Sequence, residues 1–307
     1  MKVAVVSGGF SEEHQMSRKS GKCVADALAV LNHTVVMIEY NEHLIGEIKK
    51  EAPDAVFHMV QGKYHGDGTV QALLQLAGVP YVGSRPFAAA LINNKILCKK
   101  LWRAALIPTP EFFEYGYNEY KNDTYGGFLD KVRANSLTLP VVVKPPTQGS
   151  RFGIIFLKCE DDFAKMEESF RYDDILLVER YVEGRFITQG VFELNGAMTA
   201  LPPVEIIDES GSEFKLFALP GGSAARPHDL TPEEVENISR MSIEAALLAG
   251  ASGFTRLDYH LSGGVLYLLE INAVPGLVPG YSSMCDCAKA AGYSYESLIG
   301  ILLAAAK

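Results

Sequence analysis

Short β-branched runs alternating with helical patterns make this an α/β chain, with α+β character in its later parts, and predict parallel βαβ units at its start. Its 307 residues exceed one small core, so two or three domains of roughly 100 residues are expected. With 48% hydrophobic and 21% charged residues, the composition is that of a globular protein.

The elements follow in order. Residues 2–6 read as a strand and 16–31 as a helix with Ala25, Leu28 and Ala29 on its apolar face; 34–38 and 55–59 are further strands. A helix over 69–76, a strand over 79–82 and one long helix over 87–106, stopped before Pro108, come next. The first unit, residues 1–93, is thus a small open parallel sheet. In the second, residues 94–180, the prolines and the polar stretch 114–125 read as a connection. Strands over 139–144 and 175–180, a loop running into a strand over 149–157 and a charged helix over 160–170 complete it. The third, residues 181–307, has strands near 186–193, 199–207, 254–260 and 265–272, and a helix over 232–249 capped by Thr231.

Lys+Arg 28 against Asp+Glu 37 gives a net charge of −9, which argues against a general nucleic-acid or membrane-surface binder. No apolar stretch reaches the roughly 18 residues of a membrane span. The start, MKVAVVSGGF, enters a strand without the apolar core of a signal peptide, so a cytoplasmic protein is expected. The 5 cysteines are scattered, which speaks against a disulfide framework or zinc site; Cys285-Asp-Cys287 reads as helix packing.

The strongest chemical signal is Thr255-Arg-Leu-Asp-Tyr, a Ser262-Gly-Gly turn, then Leu268-Leu-Glu-Ile-Asn-Ala-Val-Pro-Gly. Period-2 geometry puts Arg256 and Asp258 on one face of a strand, and Glu270 and Asn272 on one face of the next. With a three-residue loop at 262–264, Arg256 lies opposite Glu270 and Asp258 diagonal to it. Two carboxylates and an amide oxygen suit Mg²⁺, which takes few protein ligands and leaves positions for phosphates. The plainer alternative is a polar face on which Arg256 pairs with Glu270.

Lys144 closes the apolar run Leu139-Pro-Val-Val-Val and must snorkel or find an anion. The Gly149-Ser-Arg-Phe-Gly loop that follows can cradle phosphate with its amides, although it is not a Walker A motif. Lys95 offers a second phosphate contact; taken singly, each lysine can equally be a surface charge. Ser7-Gly8-Gly9 can bind an anion at a helix N-terminus, but a dinucleotide fingerprint is absent, Glu39 being the only acidic candidate after the second strand.

Joined by Val3-Ala-Val-Val-Ser-Gly-Gly with Glu13-His14 and Ser17, Gly66-Asp-Gly-Thr-Val-Gln, Asn94-Lys95, Val178-Glu179…Glu183-Gly184-Arg185 and Pro275-Gly276, these motifs resemble, end to end, the D-alanine–D-alanine ligase family of the ATP-grasp fold. The resemblance implies a three-domain ATP-grasp fold with an N-terminal pre-ATP-grasp sheet and ATP between the other two domains. It implies that Lys95 and Lys144, with Lys215, contact phosphates under the Gly149–Gly153 loop, and that Glu179, Arg180, Val182 and Glu183 line the adenine end. It places two Mg²⁺ (or Mn²⁺ instead) on Asp258, Glu270 and Asn272, and sets Arg256, Gly276 and Ser150 at the reacting carboxylate. The partners it implies are amino-acid or amine substrates and, by family precedent, a second copy of the chain in a homodimer.

Departures from the family pattern concentrate at the amino-acid end. Gln15 stands where a carboxylate for the substrate ammonium is expected, and Gln61-Gly62 where His-Gly is expected. Lys215 is present without the loop tyrosine. Tyr281 and Ser282 replace a small polar residue for the acceptor carboxylate, and Ser150 is without its expected partners. One change is on the ATP side: Phe186 stands where a ribose-binding Glu is expected. A carboxylate–amine ligase with altered amino-acid contacts is the resulting expectation, with a nucleotide-binding regulator as the rival from another class.

Overall fold

The computed structural model describes residues 1–63, 66–208, 223–226 and 229–307, for 208 and 223–226 the backbone only. Lys215 therefore lies outside the described residues.

The first sheet holds β1 (Lys2–Ser7), β2 (Thr34–Glu39) and β3 (Ala55–His58), linked by α1 (His14–Val30) and α2 (Leu44–Glu51). All three strands are parallel in the order β2-β1-β3, as the alternating pattern predicts. Next come α3 (Thr69–Ala77), α4 (Pro86–Asn93) and α5 (Lys95–Ala104). The long helix expected over 87–106 is two: Asn94 leaves the helical conformation (φ −103°, ψ 102°), and its side chain accepts the Leu97 N–H as an N-cap. That break aims Lys95 from the first turn of α5.

The second sheet has the order β4-β7-β5-β6. Its strands are β4 (Phe112–Gly116), β5 (Val141–Lys144), β6 (Ile155–Leu157) and β7 (Ile175–Arg180), with α6 (Tyr117–Asn122), α7 (Tyr125–Ala134), α8 (Glu160–Ala164) and α9 (Met166–Ser169). The 114–125 stretch, expected as a connection, supplies the edge strand β4 and α6; Phe113 and Tyr115 bury into the core of this sheet with Phe128 and Val178. Tyrosine-rich polarity concealed a half-buried edge strand.

The third sheet runs β11-β10-β8-β12-β13, with β9 on β8. Its strands are β8 (Arg185–Leu194), β9 (Ala197–Ala200), β10 (Val204–Asp208), β11 (Ser223–Arg226), β12 (Phe254–Ser262) and β13 (Val265–Asn272). The strand expected over 199–207 is split into β9 and β10 by Pro202-Pro203, which cannot donate to a ladder. Packed around this sheet are α10 (Pro232–Leu248), α11 (Ser283–Ala290) and α12 (Tyr295–Ala304). Thr231 caps α10 in a box with Glu234.

Two cores tie the sheets together. Val5, Leu28 and Phe57 pack with Phe192, Phe254, Met284 and Leu302. Ile92 and Trp102 pack with Ile187, Leu257 and Tyr259. Each such side chain contributes about 1.5–3 kcal/mol on burial, so the helices bearing Lys95 and the start of α1 are fixed against the sheet that carries Asp258. Among the described residues no helix is long and apolar enough to cross a membrane.

Candidate active site

A cleft of about 990 Å³ opens where the three sheets converge. Gln15, Lys95, Lys144, Gly149, Ser150, Arg256, Asp258, Glu270, Asn272, Gly276, Tyr281 and Ser282 all line it. Glu179, Arg180, Val182 and Glu183 do not figure among the lining residues.

The β12–β13 hairpin differs from the expected pairing. Its turn is the two-residue Gly263-Gly264, both at positive φ (56° and 78°), and a bulge follows Asp258. Arg256 therefore faces Asn272, and Asp258 faces Glu270, instead of Arg256 facing Glu270. The two offsets sum to an even number, so the four side chains keep one face although the partners change.

Asp258 is fully buried on β12, between β8 and β13. Its Oδ1 accepts from Arg256 Nε (2.9 Å) and Thr188 Oγ1 (2.6 Å), and its Oδ2 from Arg256 Nη2 (2.7 Å) and Asn272 Nδ2 (3.1 Å). Burial opposes the Arg256 charge, but Asp258 and Glu270 outweigh it and hold the guanidinium above its ordinary pKa. Arg256 thus pairs with Asp258 rather than Glu270. Glu270 has Lys95 Nζ 3.4 Å from its Oε2, and Lys95 also donates to the Gln148 carbonyl at 2.6 Å.

The donor set fits a hard divalent cation. No cluster of three His, Cys, Asp or Glu residues exists among the described residues, so the carriers are two carboxylates and an amide. Asn272 gives its N–H to Asp258 and lines the cleft, so its Oδ1 is the atom that would ligate. The Glu270 carboxylate has Lys95 beside it, while Asp258 must release one of its donors to ligate.

Behind Lys144 lies a buried three-residue charge cluster that pattern reading missed. Glu179 lies 2.5 Å from Lys144 Nζ and 2.8 Å from Lys99 Nζ, and all three residues are buried. Burial would raise the Glu179 pKa, but Lys144 and Lys99 outweigh it and hold the carboxyl at about 2. Lys99 itself is lowered to about 8 by burial, which Glu179 opposes, so at neutral pH Lys99 and Glu179 are both charged. Lys99 also donates to Thr109 Oγ1 (2.6 Å), which donates to the Leu268 carbonyl (2.7 Å). The i,i+4 spacing of Lys95 and Lys99 on one helix face was the available signal.

The anion reading of Ser7-Gly8-Gly9 is overturned. Gly8 N–H donates to Ser17 Oγ (2.8 Å) and Gly9 N–H to Glu39 Oε1 (3.3 Å), so the chain itself uses both amides. Glu39 in turn pairs with Arg18 at 2.7 Å. Ser150 does have a partner: its hydroxyl donates to Glu13 Oε1. Cys285 and Cys287 are buried in α11, their thiols pushed up to about 12, as helix packing predicts.

A family model described as D-ala D-ala ligase C-terminus matches residues 101–304. A D-alanine–D-alanine ligase of Moorella thermoacetica is 35% identical over 97% of each chain. This chain belongs to the D-alanine–D-alanine ligase family. A ligase of that name from Geobacter sulfurreducens is 34% identical, covering 100% of this chain and 94% of its own. The Bacillus anthracis D-alanine–D-alanine ligase crystallised with ATP superposes with a TM-score of 0.83 at 28% identity, over 99% of this chain and 97% of that one. Membership makes the protein an ATP-dependent, peptide-bond-forming ligase of the ATP-grasp fold.

Within that family frame the outlying residues take distinct places. Arg180 is held by Glu111 (2.7 Å) and over the Tyr267 ring (4.9 Å), and Glu183 is exposed. The Val182 carbonyl contacts His260 Nδ1 at 2.6 Å, and His260 meets the Phe186 ring edge-on. Phe186 lines the cleft where the family pattern expects a carboxylate. Gly276 has no room for a side chain, since a Cβ there would lie 2.8 Å from Ser282 Oγ. Ser282 is buried and accepts the Val278 N–H at 3.0 Å, bracing the Gly276 turn; Tyr281 stands exposed at the rim.

Proposed function

We propose that the protein joins D-alanine to a second D-alanine, with Mg²⁺ held by Glu270, Asn272 and Asp258. The convergence of Lys95, Lys144, Arg256 and the Asp258/Glu270/Asn272 set in one cleft carries this reading. The reaction runs in two steps. A carboxylate oxygen of the first amino acid attacks the γ-phosphorus of ATP, and ADP leaves. The amine nitrogen of the second then attacks the acyl carbon; phosphate departs, and the nitrogen loses a proton.

The chain's own residues position and neutralise in both steps. Lys95 and Lys144 meet the phosphates, and Lys144 exchanges its Glu179 partner for them. Lys99 stays behind, so Glu179 remains paired near the adenine end. Arg256, fixed by both oxygens of Asp258, faces the reacting carboxylate with the Gly276 amide. A divalent ion bound on the Glu270 side would shield the charge that develops on the transferred phosphoryl group.

Neutral, exposed Gln15 favours a second reading, in which one of the two amino acids is not D-alanine. Both readings include a division of labour among segments 1–93, 94–180 and 181–307 and assembly as a homodimer, which sedimentation tests. Phosphate release with Mg·ATP across D- and L-amino acids, with product mass, separates the two. A D-alanyl-D-alanine product supports the first reading; a mixed product alone supports the second. Absence of phosphate release with every pair overturns both.

A further inference from the structure

The loop over 149–153 is tethered at both ends to one stretch of chain, residues 169–173 between the end of α9 and β7. Upstream, Thr147 gives its N–H to Asp173 Oδ2 (3.0 Å) and its hydroxyl to the same carboxylate, 2.8 Å from each oxygen. Downstream, Ser169 Oγ donates to the Gly153 carbonyl (2.5 Å), and a Cβ on Gly153 would lie 2.7 Å from Pro145 Cγ and 2.9 Å from Tyr172 Cδ2. Between these ends Ser150, Arg151 and Gly153 have positive φ (47°, 68° and 74°). Non-glycine residues hold that conformation only where the surroundings over-determine it, so the shape of the loop depends on its tethers.

Thr147 is also held from its other side. Its carbonyl accepts from Asn93 Nδ2 (3.4 Å), the Pro146 carbonyl accepts the Lys95 N–H (3.0 Å), and the Gln148 carbonyl accepts from Lys95 Nζ (2.6 Å). A shift at Thr147 would therefore move both the loop and the carbonyl that steadies Lys95. The remaining contact of Asp173 comes from a different unit: Lys63 Nζ lies 2.8 Å from its Oδ1 and also donates to the Tyr172 carbonyl. Lys63 follows Gln61 and Gly62, which line the cleft, whereas Lys63, Thr147 and Asp173 do not. The pair is partly buried, with side-chain exposures of 22% and 11%. Such ion pairs add little to global stability, so the consequence is local: the 61–63 wall is fixed against the base of the loop.

Resting on the reading that the 149–153 loop covers the phosphates, we infer that Asp173 is a positioning residue for bound nucleotide, and that Lys63 reaches it from the first unit to lock one wall of the cleft to that loop. Neither side chain touches the reacting atoms; each acts through Thr147 and the loop beyond it. The ligand served is a nucleoside polyphosphate with its Mg²⁺.

The test uses the full chain, Lys63→Met, Lys63→Arg, Asp173→Asn and the Lys63→Met/Asp173→Asn double variant. Mg·ADP is titrated calorimetrically, and trypsin cleavage after Arg151, inside the loop, is followed by mass with and without Mg·ADP. Mg·ADP is expected to slow that cut in the wild type. Lys63→Met and Asp173→Asn are each expected to weaken Mg·ADP about three- to tenfold and to reopen Arg151 to trypsin. Cleavage elsewhere should be unchanged and Tm should stay within about 3 °C. The double variant should match Asp173→Asn alone, because Lys63 acts through that carboxylate, and Lys63→Arg should stay within about twofold of wild type. Unchanged Mg·ADP affinity in both single variants overturns the assignment. So do losses that multiply in the double variant, or faster cutting at every site with a lowered Tm, which would make the pair only structural. A wild type whose Arg151 is not protected by Mg·ADP overturns it as well. If protection and its loss in the variants are seen but no amino-acid pair gives phosphate release, the ligase reading fails and the positioning role stands.

Discussion

The two ends of the cleft are built by opposite means. At and behind the end proposed for the nucleotide, charges are buried and paired with each other: Glu179 between Lys99 and Lys144, and Asp258 between Arg256, Thr188 and Asn272. At the amino-acid end, Glu13, Gln15, Ser150 and Tyr281 come from loops and a helix start, and most are half-exposed or exposed. A strand position buried on both sides admits few side chains, because an unpaired charge there costs several kcal/mol. A loop position, open to solvent, tolerates more side chains. The difference offers a physical reason why the residues proposed for phosphates and metal keep the family pattern while several proposed for the amino acid depart from it.

Four experiments can break or sharpen that contrast. The largest effect is expected for Glu270→Ala, which removes the cleft carboxylate that carries no Arg256 pairing. Phosphate release should fall by at least about 10²–10³-fold, and activity within tenfold of wild type would refute the metal assignment. Next is the comparison of Lys99→Met with Lys144→Met. Each leaves buried Glu179 with one cation and should cost about 3 kcal/mol in urea unfolding. Only Lys144→Met should also raise the KM for ATP more than about tenfold; matching KM changes would erase the distinction drawn between the two lysines.

A smaller effect concerns a group that belongs to neither end. His58 is buried beside Tyr81, both ring nitrogens lack a hydrogen-bond partner, and burial lowers its pKa from 6.5 to about 4. As pH falls below 6.5 the unfolded chain takes the proton first, so stability present above 6.5 is lost progressively down to about pH 4. Between pH 7 and 5 the loss is about 2 kcal/mol. Thermal melts of His58→Phe should show a correspondingly shallower acid dependence, and an identical slope would mean that other groups set it. Glu179 acts lower: its stabilisation, present above pH 4.5, disappears as pH falls toward 2. The smallest effect is expected for Gln15→Glu. Gln15 is exposed at the start of α1, so the KM for amino acid should change by less than about threefold; a tenfold improvement would place the ammonium site at position 15.

Much of this was legible in the chain. The parallel first sheet followed from β-branched alternation, Thr231 announced α10, and Arg256, Asp258, Glu270 and Asn272 shared a face by period-2 spacing alone. Other features were present but outweighed. Asn94 is a good N-cap, yet the apolar pattern ran on across it and hid the break between α4 and α5. Pro202-Pro203 divided a strand that β-propensity joined. The Glu13–Ser150 contact left no local trace, because its partners are 137 residues apart.

What the sequence by itself determined is the alternation of elements and the face on which each strand places its polar residues, since 2.0 and 3.6 periodicities are properties of the local backbone. Tertiary structure alone decided the pairings. A bulge after Asp258 chose its partner across the hairpin, burial chose Glu179 as the anion for Lys144, and the approach of Gly149 and Gly62 brought Glu13 into the cleft. Those choices depend on desolvation and on which chain segments meet, and no window of neighbouring residues contains either.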